Sequence, residues 1–500
     1  MSNRIVLRGA CALLGEQLEF DPRPLDVLVE GERIASIGPA GSMTGAEVVD
    51  LSGCMLVPGL INSHLHSHEH FSKGATENLP LELWMHQARS AMAVPLNPRQ
   101  TYLRTLVGAI EALRTGTTTV VDVLLLGPAI DRENVEAVFQ AYEDAGLRAL
   151  VGFAMTNRAV VDNFPFVDSA FPADLLAQLR AVPRPSEEAY LTLSKELART
   201  RHPHSSRVGY LISNSAPQRC TEEFLLRWRR FADEHALPVI IHVQETRLQV
   251  VSGGLFYGSP MVEYLDRIKY LAPNTSLIHT VWLNPREVAA LARSGATAQH
   301  NPWSNLTLGS GVQPVRELLD AGVNVSLGSD GTCSTVTANM LNVLGSAAAV
   351  SKIRGNDYSR WLSAREALSA ATQGGARALG FGDRLGALRP GALADLVGYC
   401  IETATFTPLN DPVRQLVYAE RGAGVRFSMV AGRVAMRDGQ LTGLDESRIL
   451  AEIAAEHARL VEHFHRAAAA LGPVMRAMDD VYRRCLAVAV PSDTYPARLP

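Results

Sequence analysis

Two histidines one residue apart, His64 and His66, end the apolar run LVPGLINSHLH. On a strand, side chains two apart share a face, so these imidazoles project together. Three later apolar runs end in the same kind of residue: VIIH at His242, SLIH at His279 and VSLGSD at Asp330. Taken singly, each is most simply a core histidine or a capping acid. Recurrence at four strand ends points instead to one converging set. Imidazoles with one carboxylate suit a single borderline divalent ion, Zn²⁺ first and Fe²⁺ second, with room left for water. Such an ion lowers the pKa of its water to about 7, giving hydroxide at neutral pH. A further group must then carry protons between water and leaving group. Glu245, three residues past His242 in HVQE, is the one carboxylate close to a ligand that is not needed as a ligand. Its alternative is an ordinary exposed loop acid.

These residues need elements to hold them at one level. Eight short apolar runs follow one another: LVPGLINSHLH, TTTVVDVLL, RALVGFAM, RVGYLISNSA, LPVIIHVQET, TSLIHTVW, GATAQHNPW and VNVSLGSD. Between most of them lie segments of helical period, such as RQTYLRTLVGAIEALRTG and PREVAALARSG, several closing on glycine. Strand-then-helix in series predicts a (β/α)₈ TIM barrel over residues 57–384, whose active site sits at the carboxyl ends of its strands. Alternating segments at 1–56 and 385–440 predict a small β-sandwich made from both chain ends. Residues 441–500 read as an Ala-rich helical extension broken at Gly472-Pro473, packed on its own domain or offered to a second copy. The Pro-rich stretch from Thr156 to His204 is either a lid over the pocket or a long surface connection.

Composition narrows the class. With 47% hydrophobic and 20% charged residues over 500 positions, the chain is globular. A formal charge of −4 without a long basic run gives no reason to expect nucleic acid or an acidic membrane surface. The six cysteines are scattered without a C-x-x-C pair, against both a disulfide framework and a zinc knuckle. No signal-like segment and no apolar run of about 18 residues is visible, so a cytoplasmic enzyme is expected.

HLH, HVQE, LIHTVWL, HNPWSNLTLGSG and LGSDG, with LVPGLINSHLHS before them and GALRPGALADLV after, closely resemble the amidohydrolase superfamily. The likeness spans roughly residues 1–440 and is strongest to the branch holding cytosine-deaminase-like enzymes, nucleoside and guanine deaminases and s-triazine hydrolases. The resemblance implies that His64, His66, His242 and Asp330 bind one metal and that Glu245 shuttles protons. It also implies that His279 orients hydroxide or substrate, or adds a ligand, and that Asp330 helps deprotonate the water. Binuclear members carry a carboxylated lysine on the fourth strand; VGYLISNSA has none, so a mononuclear site is expected. Two departures bear on substrate. Nucleoside deaminases of this branch usually have His before Ala-Pro after the fourth strand, where this chain reads Asn214-Ser215-Ala216-Pro217. They also tend to carry an acid shortly after the WL helix, where it reads AMAVPLNP.

For substrate contacts, Trp84 in ENLPLELWM offers a flat face to a planar ring, with a core role as the alternative. Asn214, His300 and Trp303 stand beside the catalytic end in sequence; Ser304 and Asn305 are expected to tie down their loop, and His68 and His70 to be solvated loop histidines. The expected enzyme is a metal-dependent hydrolase of non-peptide carbon–nitrogen bonds acting on a small molecule, by hydrolytic deamination of an amino-heterocycle of purine, pyrimidine or triazine type. The alternatives are an amide, urea or carbamate hydrolase or a ring dechlorinase on the same site, and, last, a non-catalytic binding relative. A homodimer is expected from family habit.

Overall fold

The computed structural model describes residues 4–44, 46–92 and 94–498. Eight parallel strand positions form the barrel: Leu60–Leu65, Thr117–Leu124, Arg148–Phe153, a fourth split into Val208–Tyr210 and Ile212–Asn214, then Val239–Val243, Thr275–His279, Thr297–His300 and Val325–Leu327. All eight expected runs are strands. Their residues are β-branched and apolar and are buried on both faces, as a barrel lining under a helical coat must be. Leu211 interrupts the fourth strand, and the chain carries the seam past it: Leu211 N–H donates to Val151 O and Ser215 N–H to Met155 O. At the last seam Asp330 N–H donates to His64 O at 2.9 Å, tying the two ends of the ligand set to each other. Gly328 permits that approach, since a Cβ there would stand 2.4 Å from Gln299 Nε2 and 3.0 Å from His64 Cβ.

The outer helices start where polar caps dictate. Asn97 and Asn284 each close a capping box, with Gln100 and Glu287 respectively, ahead of a proline at the first turn. Gly146 and Gly295 end their helices in the left-handed conformation.

The two chain ends form one nine-stranded sheet enclosing its own apolar core, which includes Leu7, Val27, Leu56, Leu396 and Phe427. Its strand Leu396–Cys400 pairs antiparallel with Cys54–Pro58, so the segments flanking the barrel are sewn together. Arg148, at the foot of the third barrel strand, holds Asp395 through two hydrogen bonds of 2.9 and 3.0 Å, both residues buried. Truncation would leave a buried carboxylate unpaired. Arg148→Met is expected to cost about 3–5 kcal/mol in urea unfolding, with Asp395→Asn in the same chain recovering part of the loss. A loss under about 1 kcal/mol would mean that the pair does not couple the two domains.

Above the catalytic mouth lies a second apolar cluster. It joins Leu81, Trp84 and Met85 to Phe164 and Phe171 of the Thr156–His204 excursion and to Val474, Met478 and Val481 of the tail. The excursion therefore packs against the helix that carries Trp84, with none of its residues among those described as lining the pocket. The tail forms helices Glu446–Ala469 and Gly472–Ala487, and the second packs onto this cluster. Beyond it, Tyr495 N–H donates to Leu283 O and Val312 N–H to Ala497 O, which returns the chain across the barrel face.

Candidate active site

His64 and His66 leave the first strand together, with ring centroids 4.6 Å apart, and His242 lies 4.9 Å from His64 and 5.6 Å from His66. The ligating atoms of His64, His66 and His242 all fall within 4.8 Å of one another, as do those of His64, His279 and Asp330. Asp330 Oδ1 stands 3.5 Å from His64 Nε2 and 3.4 Å from His66 Nε2, and Asp330 Oδ2 stands 3.8 Å from His279 Nε2. Glu245 Oε2 is 3.4 Å from His279 Nε2.

The surroundings aim these groups. The Nδ1 of His66 lies 2.7 Å from Val123 O, and that of His242 lies 2.7 Å from Ser215 O, so each Nδ1 donates and each Nε2 lone pair faces inward. Asn305 Oδ1 meets His279 Nδ1 at 2.9 Å, and Ser304 Oγ donates to Asp330 Oδ2 at 2.6 Å. The sequence assigned Ser304 and Asn305 to the loop; in the fold they brace two site residues directly. Backbone strain gathers here too, with φ +75° at His279 and +66° at Asp330.

Burial holds His64 down to about 4 and His242 well below its ordinary value, so both imidazoles are neutral, as metal ligands must be. Burial opposes the charge of Asp330, but the approach of His64 Nε2 at 3.5 Å and the surrounding imidazoles of His279 and His66 outweigh it and hold the carboxyl well below the usual range. Burial, reinforced by Asp330 and Glu82, pushes Glu245 well above the usual carboxylate range, against the opposing charge of Arg219. Both ring nitrogens of the fully buried His64 lack a hydrogen-bond partner. An orphaned buried imidazole beside further histidines and one carboxylate fits a divalent cation. Removing metal with a chelator is therefore expected to lower Tm reversibly, by the equivalent of about 4 kcal/mol if zinc is resupplied at a thousandfold excess over Kd. Identical melting curves with and without zinc would count against a metal in this set.

A cleft of about 660 Å³, part of it open to solvent, lies over the set. Trp84, Leu81, Met85, Leu125 and Leu308 give it apolar walls, and Glu245, His66, His242, His279 and Asp330 reach it. Of the sequence-selected substrate contacts, Trp84 alone lines it. Asn214 is buried behind the fourth strand, accepting from Tyr270 Oη at 2.6 Å. His300 faces the helical coat, because its neighbour Asn301 turns inward to within 3.2 Å of His279 Nδ1. Trp303 is 40% exposed and donates to Thr335 O. None of these three is among the residues described as lining the pocket. His68 and His70 are also buried rather than solvated; His68 lines the pocket, and His70 Nδ1 meets Arg104 O on the helix Pro98–Arg114. Of the AMAVPLNP run, Ala93 lies outside the described residues. Sequence reading passed over Arg219, the one arginine or lysine among the residues described as lining the pocket. Its only signal was a basic residue four positions after Ser215, the place where the branch's histidine is missing.

The profile of the Amidohydrolase family matches residues 55–435, more than half of the chain. The chain belongs to the amidohydrolase family. It is 34% identical to a 5'-deoxyadenosine deaminase of Methanothermobacter thermautotrophicus, over 86% of this chain and 93% of that one. It is 32% identical to a 5-methylthioadenosine/S-adenosylhomocysteine deaminase of Thermococcus kodakarensis, over 86% and 94%. Among solved structures it superposes on a zinc-bound adenosine deaminase of Xanthomonas campestris with a TM-score of 0.80 at 27% identity, covering 92% and 98%. Its likeness to an atrazine chlorohydrolase of Arthrobacter aurescens, TM-score 0.81 at 24% identity over 91% and 100%, concerns the fold.

Proposed function

We propose that the protein hydrolyses the exocyclic amino group of a purine-type heterocycle and releases ammonia. The observation that carries this reading is the meeting of His64, His66, His242, His279 and Asp330 with Glu245 at the floor of one pocket. The deaminases named above support the leaving group, and the flat wall at Trp84 supports a planar substrate.

His64, His66, His242 and Asp330 would hold one divalent ion, zinc by preference, with His279 beside it. When bound, that ion supplies Lewis-acid activation of water. The chain does the rest. Glu245 donates its proton to a ring nitrogen, which makes the adjacent carbon electrophilic. Asp330 accepts a proton from the attacking water and passes it toward the departing amine, while His279 Nε2 holds the attacking oxygen in line. The carbon–nitrogen bond breaks and ammonia leaves with the proton carried by Asp330, while the proton of the added hydroxyl returns to Glu245, leaving a carbonyl and a ring N–H and restoring the acid. Gln249 Oε1 accepts from Glu245 N–H at 2.9 Å and keeps this acid in place.

Ammonia release from amino-purines, amino-pyrimidines and amino-triazines, run beside amide and carbamate substrates, is the test. No ammonia from any amino-heterocycle would defeat the reading, and turnover of carbamates or chlorotriazines would replace it. A homodimer in the cytoplasm belongs to the same proposal; among the described residues no helix is long and apolar enough to cross a membrane.

A further inference from the structure

Two buried guanidinium groups among the described residues are matched: Arg148 by Asp395, and Arg229 by Asp233 and the Thr275 hydroxyl. Arg219 is different. One Nη donates to Ser215 Oγ at 3.0 Å, the other lies 2.9 Å from the thioether of Met85, and its buried Nε has no partner. No carboxylate stands within ion-pair distance of it among the described residues. A cation so placed is costly unless something completes it. It faces the pocket, across apolar walls and beside the loop whose Ser215 carbonyl braces His242.

We propose that Arg219 is a specificity-determining residue that takes an oxyanion or strongly accepting oxygen on the substrate, so that the preferred amino-heterocycle bears such an oxygen. This rests on the deaminase reading and narrows it: plain 6-aminopurines are poorer ligands than their oxygen-bearing counterparts. Ser215 supports the assignment, because a hydroxyl can hold the guanidinium without neutralising it. Arginine's planar fork suits two sources of that chemistry, a ring oxo group and a carboxylate substituent.

Two ligand pairs separate the sources: 6-aminopurine against 2-oxo-6-aminopurine, and 4-aminopyrimidine against 4-aminopyrimidine-5-carboxylate. Binding to the zinc-loaded enzyme is measured by calorimetry, with ammonia release followed in parallel. In one pair or the other, the oxygenated member is expected to bind roughly 100-fold tighter, the usual scale for a desolvated charge-assisted contact. Arg219→Met should bring the ratio to within about threefold, and Arg219→Lys, which keeps charge but loses the fork, should fall between. Tm should hold or rise in Arg219→Met, since an unmatched cation is removed; a purely structural arginine would lower it. Should Arg219→Met fail to fold, Arg219→Gln carries the same comparison. The proposal is overturned if neither pair is discriminated by the wild type, or if discrimination survives in the variants. Because binding is read apart from turnover, absence of ammonia would count against the deaminase reading alone.

Discussion

Asp330→Asn is expected to leave a folded barrel with roughly 10⁴-fold lower kcat/KM and little retained metal. On the proposed reading Asp330 serves twice, as the carboxylate among the converging imidazoles and as the acceptor for the water's proton. Asparagine keeps the shape and can still meet Ser304 Oγ and Gly331 N–H, but it loses the charge. The backbone makes this variant informative. At φ +66° most side chains are strained, whereas asparagine tolerates the left-handed region almost as well as aspartate. Asp330→Ala should therefore lose activity and also melt lower, whereas Asp330→Asn should lose activity with a far smaller change in the metal-free Tm. Steady-state kinetics, elemental analysis and thermal melts of both variants decide the matter. Activity within about tenfold of wild type in Asp330→Asn would remove Asp330 from the chemistry.

The second large effect concerns Glu245. Glu245→Gln should lower kcat about 10³-fold with KM and metal content nearly unchanged, because glutamine fills the same space and the ligands are untouched. The sign of the pH dependence follows from the environment. Burial raises the Glu245 pKa, the protonated form is the donor, and so activity is present below that raised pKa and is lost as pH climbs through it. The alkaline limb of the kcat profile should vanish from the residual activity of Glu245→Gln. Stability moves the same way: a carboxyl whose folded pKa is raised favours the folded state below its unfolded value and loses that contribution as pH rises. The variant should thus melt no lower than wild type near neutral pH, and relatively higher in alkali. A glutamine variant with normal kcat, or one that sheds metal instead, would assign Glu245 elsewhere.

Much of this site was legible in one dimension. A barrel strand is short, β-branched and buried on both faces, so each announces itself locally, and the residue at its carboxyl end is held at the mouth by the fold class. His64, His66, His242, His279 and Asp330 could be picked out for that reason. The pocket walls could not. His300 and Asn214 occupy strand ends like the ligands do, yet the pleat turns His300 toward the helices, and Tyr270 holds Asn214 behind its strand. A strand end in a sequence does not say which way the residue points when both faces are buried.

From its sequence alone, then, the chain determines an eight-fold strand-and-helix order and a set of ligand-type residues at strand ends, because both depend on local periodicity and on residue chemistry. The tertiary structure decided what those residues face. Contacts such as Trp84 with the tail helix, Arg219 with Ser215 and Met85, and Glu245 with His279 join segments whose relative direction no local pattern encodes. Whether a charge is matched or left for a ligand depends on desolvation by distant parts of the chain, and that exists only once the barrel has closed.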